Sequence, residues 1–460
     1  MSPRCSAAYP FIRDSWVEIG VKSGTVNPLV HRLRENRATS IKVMLLLVLA
    51  ATVAWNLFTP HADARLDNIR QKGYPVTLAE LNAWYQAVSD SQNNARVYER
   101  VFALPGFGNF DINWPDRGWA LSAEDKEEWG ELMTSNQVAL ALLHSAQSSN
   151  RCRYSLDFSK ALSATGGHEF AVINGVKLLC AEALLHAANS ESERAVGSFR
   201  TAGLLADSEA EEPWLIAQIV RIACWSIIAQ RVENAMAQTQ MTEEQLASLQ
   251  AMVGGAERPQ ALLRGLAGDR AIGIALFAEP VYALADGRPP YNTTECLKDD
   301  LVVGLSKATG IFERDRAFYL EALGKAVEAA SLPFPERLNL GQQTPSGWGP
   351  APRFCSISRA VLPRFSSVFA SEADMAARLR TAQVALAVER FRRHAGRLPA
   401  GLEELVPDYL MALPADPHDG KPLRFEVLDS GYAIYTSGVD AKNGGPLGFQ
   451  IFRLSHASQP

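Results

Sequence analysis

EADMAARLRTAQVALAVERFRRHAGRLP, running from Glu372 to Pro399, reads as one amphipathic helix with a marked stop. Met375, Leu379, Ala382 and Leu386 recur at helical spacing, and Val384, Val388 and Phe391 widen that apolar face. Arg378, Arg380, Glu389, Arg392 and Arg393 fall on the polar side, and Gly396 ends the helix as a C-terminal glycine. The chain then turns repeatedly. Gly401 to Tyr409 is a short helix or turn closed by Pro407, and Pro414, Pro417, Gly420 and Pro422 make a rigid turn-rich segment. Leu423–Leu428 and Tyr432–Thr436 alternate as strands around Asp429-Ser430-Gly431. Residues 372–460 therefore predict a small α+β module, a helix plus a β-hairpin.

Upstream the pattern is helical, so the fold class is mainly α. The 460 residues are 47% hydrophobic and 21% charged, enough for two or three domains with real cores. The net charge of −5 and the lack of a basic stripe exclude a nucleic-acid binder. Thr77 with Glu80 and Thr242 with Gln245 are predicted capping boxes. Pro213, behind Glu209, Glu211 and Glu212, reads as a first-turn proline preceded by acids that suit the positive end of a helix. Ala195, Phe199 and Ala202 have the small-large-small spacing of a tetratricopeptide second helix, but no second copy follows at a fixed period. Residues 65–331 are thus expected to form a helical bundle or irregular helical-repeat domain. Residues 332–371, rich in Pro, Gly and Gln, read as a linker.

The N-terminus carries a second kind of signal. Ile41 to Phe58 contains no charge after Lys42, and its eighteen residues rise about 27 Å as a helix, enough for a bilayer core. Arg32, Arg34, Arg37 and Lys42 precede or edge it against one Glu35, which predicts a cytoplasmic N-terminus and an exported remainder. Residues 1–40 lack periodicity and read as a disordered tail. Two readings export the rest: a signal anchor at 41–58, or a signal peptide cleaved after Ala64 in Ala62-Asp63-Ala64. A buried core helix is the bland alternative.

Chemistry is sparse. There is no H-E-x-x-H, no G-x-S-x-G and no phosphate-binding glycine loop. His168-Glu169 after Gly166-Gly167 fits a surface helix start or an anion site. Asp416, His418 and Asp419 are spaced to hold a metal or to form a turn. The aromatic loop 104–121, with Phe107, Phe110, Trp114 and Trp119, is either a plug on the helices or the lip of a ligand pocket. Cys5, Cys152, Cys180, Cys224, Cys296 and Cys355 show neither C-x-x-C nor zinc spacing. Cys180 and Cys224 lie in apolar helical runs, as buried thiols do.

The order Gly396-Arg397-Leu398-Pro399, Leu413-Pro414, Asp416-Pro417, hairpin, then Ser437-Gly438-Val439-Asp440 resembles the globular part of the major pseudopilin of type II secretion, the protein G family. The chain departs from that family in lacking its Gly-Phe-Thr-Leu-x-Glu start, which argues against polymerisation as a pilin. The resemblance implies a calcium loop, for which only Asp440 and Asn443 are available here, and calcium takes six to eight oxygens. Together with Gly73-Tyr74-Pro75-Val76-Thr77-Leu78 opening the helical part, the layout also resembles bacterial membrane-anchored proteins of unassigned function. The resulting expectation is a non-enzymatic, single-pass inner-membrane protein without cofactors. Its bulk is periplasmic, and it binds other envelope proteins, with a link to a type II secretion-like assembly. The alternative is a periplasmic ligand-binding or enzymatic helical domain with a site near loop 104–121. On the anchor reading, N-terminal sequencing of protein extracted from membranes starts ahead of residue 41; a terminus at Arg65 would establish cleavage instead.

Overall fold

The structure is a computed structural model that describes residues 62–115, 121–146, 151–158, 167–278, 310–344, 355–440 and 444–452, with isolated positions at 39, 42–44, 46, 50 and 352. Apart from those isolated positions, the tail 1–40 and the segment 41–58 lie outside the described residues. The elements below belong to the unit Thr59–Pro460.

Helices dominate it. Local sequence starts several of them: Ser122 with Asp125 and Thr242 with Gln245 form complete capping boxes, whereas Thr77 caps Glu80 N and the Glu80 carboxylate reaches one residue further back, to Val76 N. The order is α1 (Ala62–Gln71), α2 (Leu78–Trp84), α3 (Ala95–Phe102), α4 (Ala123–Ser135), α5 (Gln137–His144), α6 (Glu169–Ala188), α7 (Ser192–Ala206) and α8 (Leu215–Gln238). It continues through α9 (Glu243–Gly254), α10 (Pro259–Ala278), α11 (Ile311–Ser331), α12 (Glu336–Gln343), α13 (Ser356–Val361) and α14 (Phe365–Ala395). A three-stranded antiparallel sheet follows: β1 (Arg424–Leu428), β2 (Gly431–Val439) and β3 (Pro446–Phe452), in spatial order β1-β2-β3. Phe425 pairs with Ile434 and Ile434 with Phe449, so one sheet face is apolar and packs inward.

Two hydrophobic cores hold these elements. The first gathers Leu179 and Leu184 of α6, Phe199 of α7, Trp225 and Ile228 of α8, Leu249 of α9, and the sheet residues Tyr432, Ile434 and Phe449. The second gathers Leu266 of α10, Leu323 of α11, Leu338 of α12 and Phe365, Phe369 and Ala373 of α14. α14 enters both, because Met375 to Phe391 belong to the first. α6 and α8 are apolar and long enough to cross a bilayer, and their burial within this core accounts for that apolarity.

Several sequence expectations are revised. The predicted linker 332–371 holds α12, α13 and the first turns of α14, with Leu338, Phe365 and Phe369 buried. The boundary expected at 372 falls inside a continuous helix. The helix is longer because Phe365, Val368 and Phe369 extend its apolar face into the second core. A third strand, β3, occupies what reads as a terminal loop. Cys152, Cys180, Cys224 and Cys355 are buried free thiols.

Gly268 shows how tightly α10 approaches the segment before α8. A Cβ there would overlap the Pro213 carbonyl oxygen, a backbone atom that cannot swing aside. Gly268→Ala should lower stability by about 1–3 kcal/mol, read as a shift of the urea midpoint at unchanged slope. An unshifted midpoint would contradict this packing.

Candidate functional site

A polar centre lies buried where the start of α6 meets the turn between α7 and α8. The residue ahead of α6 is His168, and the turn supplies Glu209 and Glu212. His168 is 7% exposed and both glutamates 0%. The expectation of a surface helix start at His168-Glu169 is therefore overturned: His168 makes no capping bond and its ring faces inward. Tyr154 stacks on that ring at 3.9 Å between centroids, and the Tyr154 hydroxyl lies 2.8 Å from Ser208 Oγ.

His168 Nε2 stands 3.1 Å from Glu212 Oε2 and 3.3 Å from Glu209 Oε1. The turn beneath is clamped by Gln218 of α8, whose amide nitrogen donates to the carbonyl oxygens of Glu209 (2.8 Å) and Glu212 (2.9 Å). Two residues before Glu209, Asp207 shows a different environment. Its carboxylate accepts from Arg221 Nε (3.1 Å), Trp225 Nε1 (2.9 Å) and Arg258 Nη2 (2.9 Å). Glu211 points outward to Arg264, at 2.8 Å. Among the described residues, Oε2 of Glu209 and Oε1 of Glu212 have no hydrogen-bond partner, and Oε1 of Glu209 has only the 3.3 Å contact with His168. Orphaned buried carboxylate oxygens are costly, so a group that satisfies them would be stabilising.

The electrostatics follow from that crowding. Burial, then the neighbouring charge of Glu212, pushes the Glu209 carboxyl up to about 8, against the opposing pull of His168. Glu212 is likewise raised, first by burial. Burial alone would lower His168, but its two carboxylate partners outweigh it and raise the imidazole to about 11. Both carboxyls are thus shifted toward their neutral form and the imidazole toward its charged form.

The other sequence candidates resolve individually. Phe107, Phe110 and Trp114 of the aromatic loop pack on the first core. Trp114 meets Trp129 edge-on at 5.7 Å, and Arg231 lies 4.7 Å over its ring; Trp119 lies outside the described residues. A chain of rings links the loop to the buried centre: Phe107 to Phe102 (6.0 Å), Phe102 to Tyr154 (6.5 Å), then His168. Asp416, His418 and Asp419 form a turn. Asp416 accepts from His418 N (2.9 Å), Ser437 N (2.7 Å) and Arg424, and His418 Nε2 reaches Asp374 of α14 at 3.0 Å. Asp440 is held by Arg378 of α14 at 3.1 Å, and Asn443 lies outside the described residues. His186 pairs with Glu191 at the surface, at 2.6 Å.

No family model, curated protein or solved structure matches the chain.

A pH dependence follows from Glu209. A carboxyl raised from 4.5 to about 8 in the folded state contributes stability that is full below 4.5 and is lost as pH rises through about 8. In chelator-treated protein, urea midpoints should fall across that window, and Glu209→Gln should make the fall shallower. An equally steep fall in the variant would contradict the assignment.

Proposed function

We propose that this chain is a single-span envelope protein without enzymatic activity, whose helical body and C-terminal sheet act as one platform for binding other envelope proteins. The observation that carries the reading is the asymmetry of the sheet. β3 packs on α8 and α14, and its outer edge is occupied: Gln450 N donates to Glu233 of α8 at 2.8 Å. On the opposite side β1 pairs only with β2, and no further strand joins it among the described residues. Val427 on β1 is 57% exposed. An open edge beside an exposed β-branched residue offers backbone donors and acceptors to a strand from another chain.

The module is presented firmly. Arg380 forms a two-pronged pair with Glu257, with both bonds at 2.8 Å. Arg390 of α14 reaches Glu243 (2.6 Å) and Gln250 (3.0 Å) of α9, and Gln250 donates to the Tyr409 carbonyl (2.7 Å). The partner strand would therefore meet a fixed edge rather than a tethered one. The segment 41–58, uncharged after Lys42, supports the membrane anchor, and the basic residues ahead of it support a periplasmic body. The order of helix, Leu-Pro turn, Asp-Pro turn and hairpin supports a link to a type II secretion-like assembly.

The test is in-cell photo-crosslinking of the full-length protein from position 427, with the exposed Glu193 of α7 as the control position. Adducts to an envelope protein should form from 427 and not from 193. Equal or absent adducts from 427 would remove the edge strand from the account.

A further inference from the structure

We infer that His168, Glu209 and Glu212 form a binding site for a divalent first-row transition-metal ion of the zinc or manganese type, built into the helical body. The inference stands apart from the scaffold reading and does not depend on it.

The donor atoms are already gathered: one ligand atom from each of the three residues, all within 4.8 Å of one another. Zinc ligands at about 2.0–2.2 Å in tetrahedral arrangement lie about 3.3–3.5 Å from one another. The imidazole nitrogen stands 3.1 and 3.3 Å from its two carboxylate neighbours, close to that spacing.

A second observation points to a cation rather than to a self-contained hydrogen-bonded cluster. One imidazole N–H cannot serve four buried carboxylate oxygens. Two of the four, Glu209 Oε2 and Glu212 Oε1, have no partner among the described residues, and Glu209 Oε1 has only the 3.3 Å contact with His168, on side chains with no exposure. Asp207, in the same turn, shows what a carboxylate satisfied by protein looks like here, with two arginines and an indole. Glu169 is also buried and adds to the negative field at both glutamates. One dication with a neutral imidazole and two carboxylates makes a centre without net charge, which removes the penalty of burying two like charges.

The donor set selects the ion class. Calcium and magnesium prefer all-oxygen shells, whereas an imidazole nitrogen beside carboxylates suits zinc, manganese or ferrous iron. Cys152, although buried nearby, is not among the gathered donors. The support around the ligands resembles that of a resident ion: Tyr154 fixes the ring plane, and Gln218 ties down the backbone of both glutamates. With all three ligands buried, the ion's role is to fix the junction of α6, α7 and α8.

The experiment uses the full-length protein in detergent, stripped with chelator, reloaded separately with Zn²⁺ and Mn²⁺, and dialysed. Wild type should retain about one equivalent of zinc. The Glu209→Gln/Glu212→Gln double variant and His168→Gln should lose it, with affinity reduced at least about tenfold. His186→Gln, at the surface pair, should retain it. Zinc should also raise the Tm of wild type by about 2–4 °C or more and leave the double variant unmoved. Should the variants fail to fold, cobalt(II) in the unaltered protein gives the second readout: visible d–d bands of a low-symmetry site that zinc abolishes. Retention equal in wild type and double variant, no retention by wild type, or no zinc-displaceable cobalt spectrum would each overturn the proposal.

Discussion

Everything in the body hangs on one helix passing through two cores. α14 has 31 residues and so extends about 46 Å. Its first turns place Phe365 and Phe369 in the second core with Leu338 and Leu323, and its later turns place Leu379, Leu386 and Phe391 in the first. Between these regions, Glu372 is buried and pairs with Arg337 of α12 at 2.8 Å. Arg337 also donates to the carbonyls of Leu332 and Pro259. Burial raises the Glu372 carboxyl, and the guanidinium opposes that rise. Removing either partner would leave a buried group unpaired, which is costly. A helix packed on two cores cannot move at one end independently of the other, so the sheet it carries is held to the helical body.

How much of this was legible depends on whether the signal was local. The stripe Met375, Leu379, Ala382, Leu386 and the stop at Gly396, whose φ is 71°, are local, and the helix runs where they indicate. The capping box at Thr242 is local too. The stretch 332–371 misleads because its prolines and glycines are the marks both of a linker and of helices packed closely at their ends. Pro335 sits at the N-cap of α12, and Gly341 lies beneath the ring of Phe369. β3 did leave a signal, the alternation of Leu447, Phe449 and Ile451, all buried. Gly444-Gly445-Pro446 ahead of it suggested a loop.

The buried centre was the least legible feature. Glu209 and Glu212 stand before a helix, where acids are favoured by the helix dipole, and Glu211 between them does face solvent. What separates Glu211 from its neighbours is the approach of His168 from another helix and the clamp by Gln218. Both are tertiary contacts that no periodicity carries. The nearest sequence hint is the pair of glutamates three residues apart, in a turn followed by a helix whose buried face includes Gln218 and Arg221. The buried centre and the sheet's open edge are distinct features: one lies inside the body, and the other at its surface.

Hydrogen exchange of the full-length protein, resolved by mass spectrometry, tests most directly whether body and module are one cooperative unit. The account predicts that peptides from Phe365–Ala395, Leu215–Gln238 and Gly431–Val439 share the slowest class of exchange and lose protection together as denaturant is added. Peptides from 372–452 opening as a separate, faster unit while α8 stays protected would contradict it.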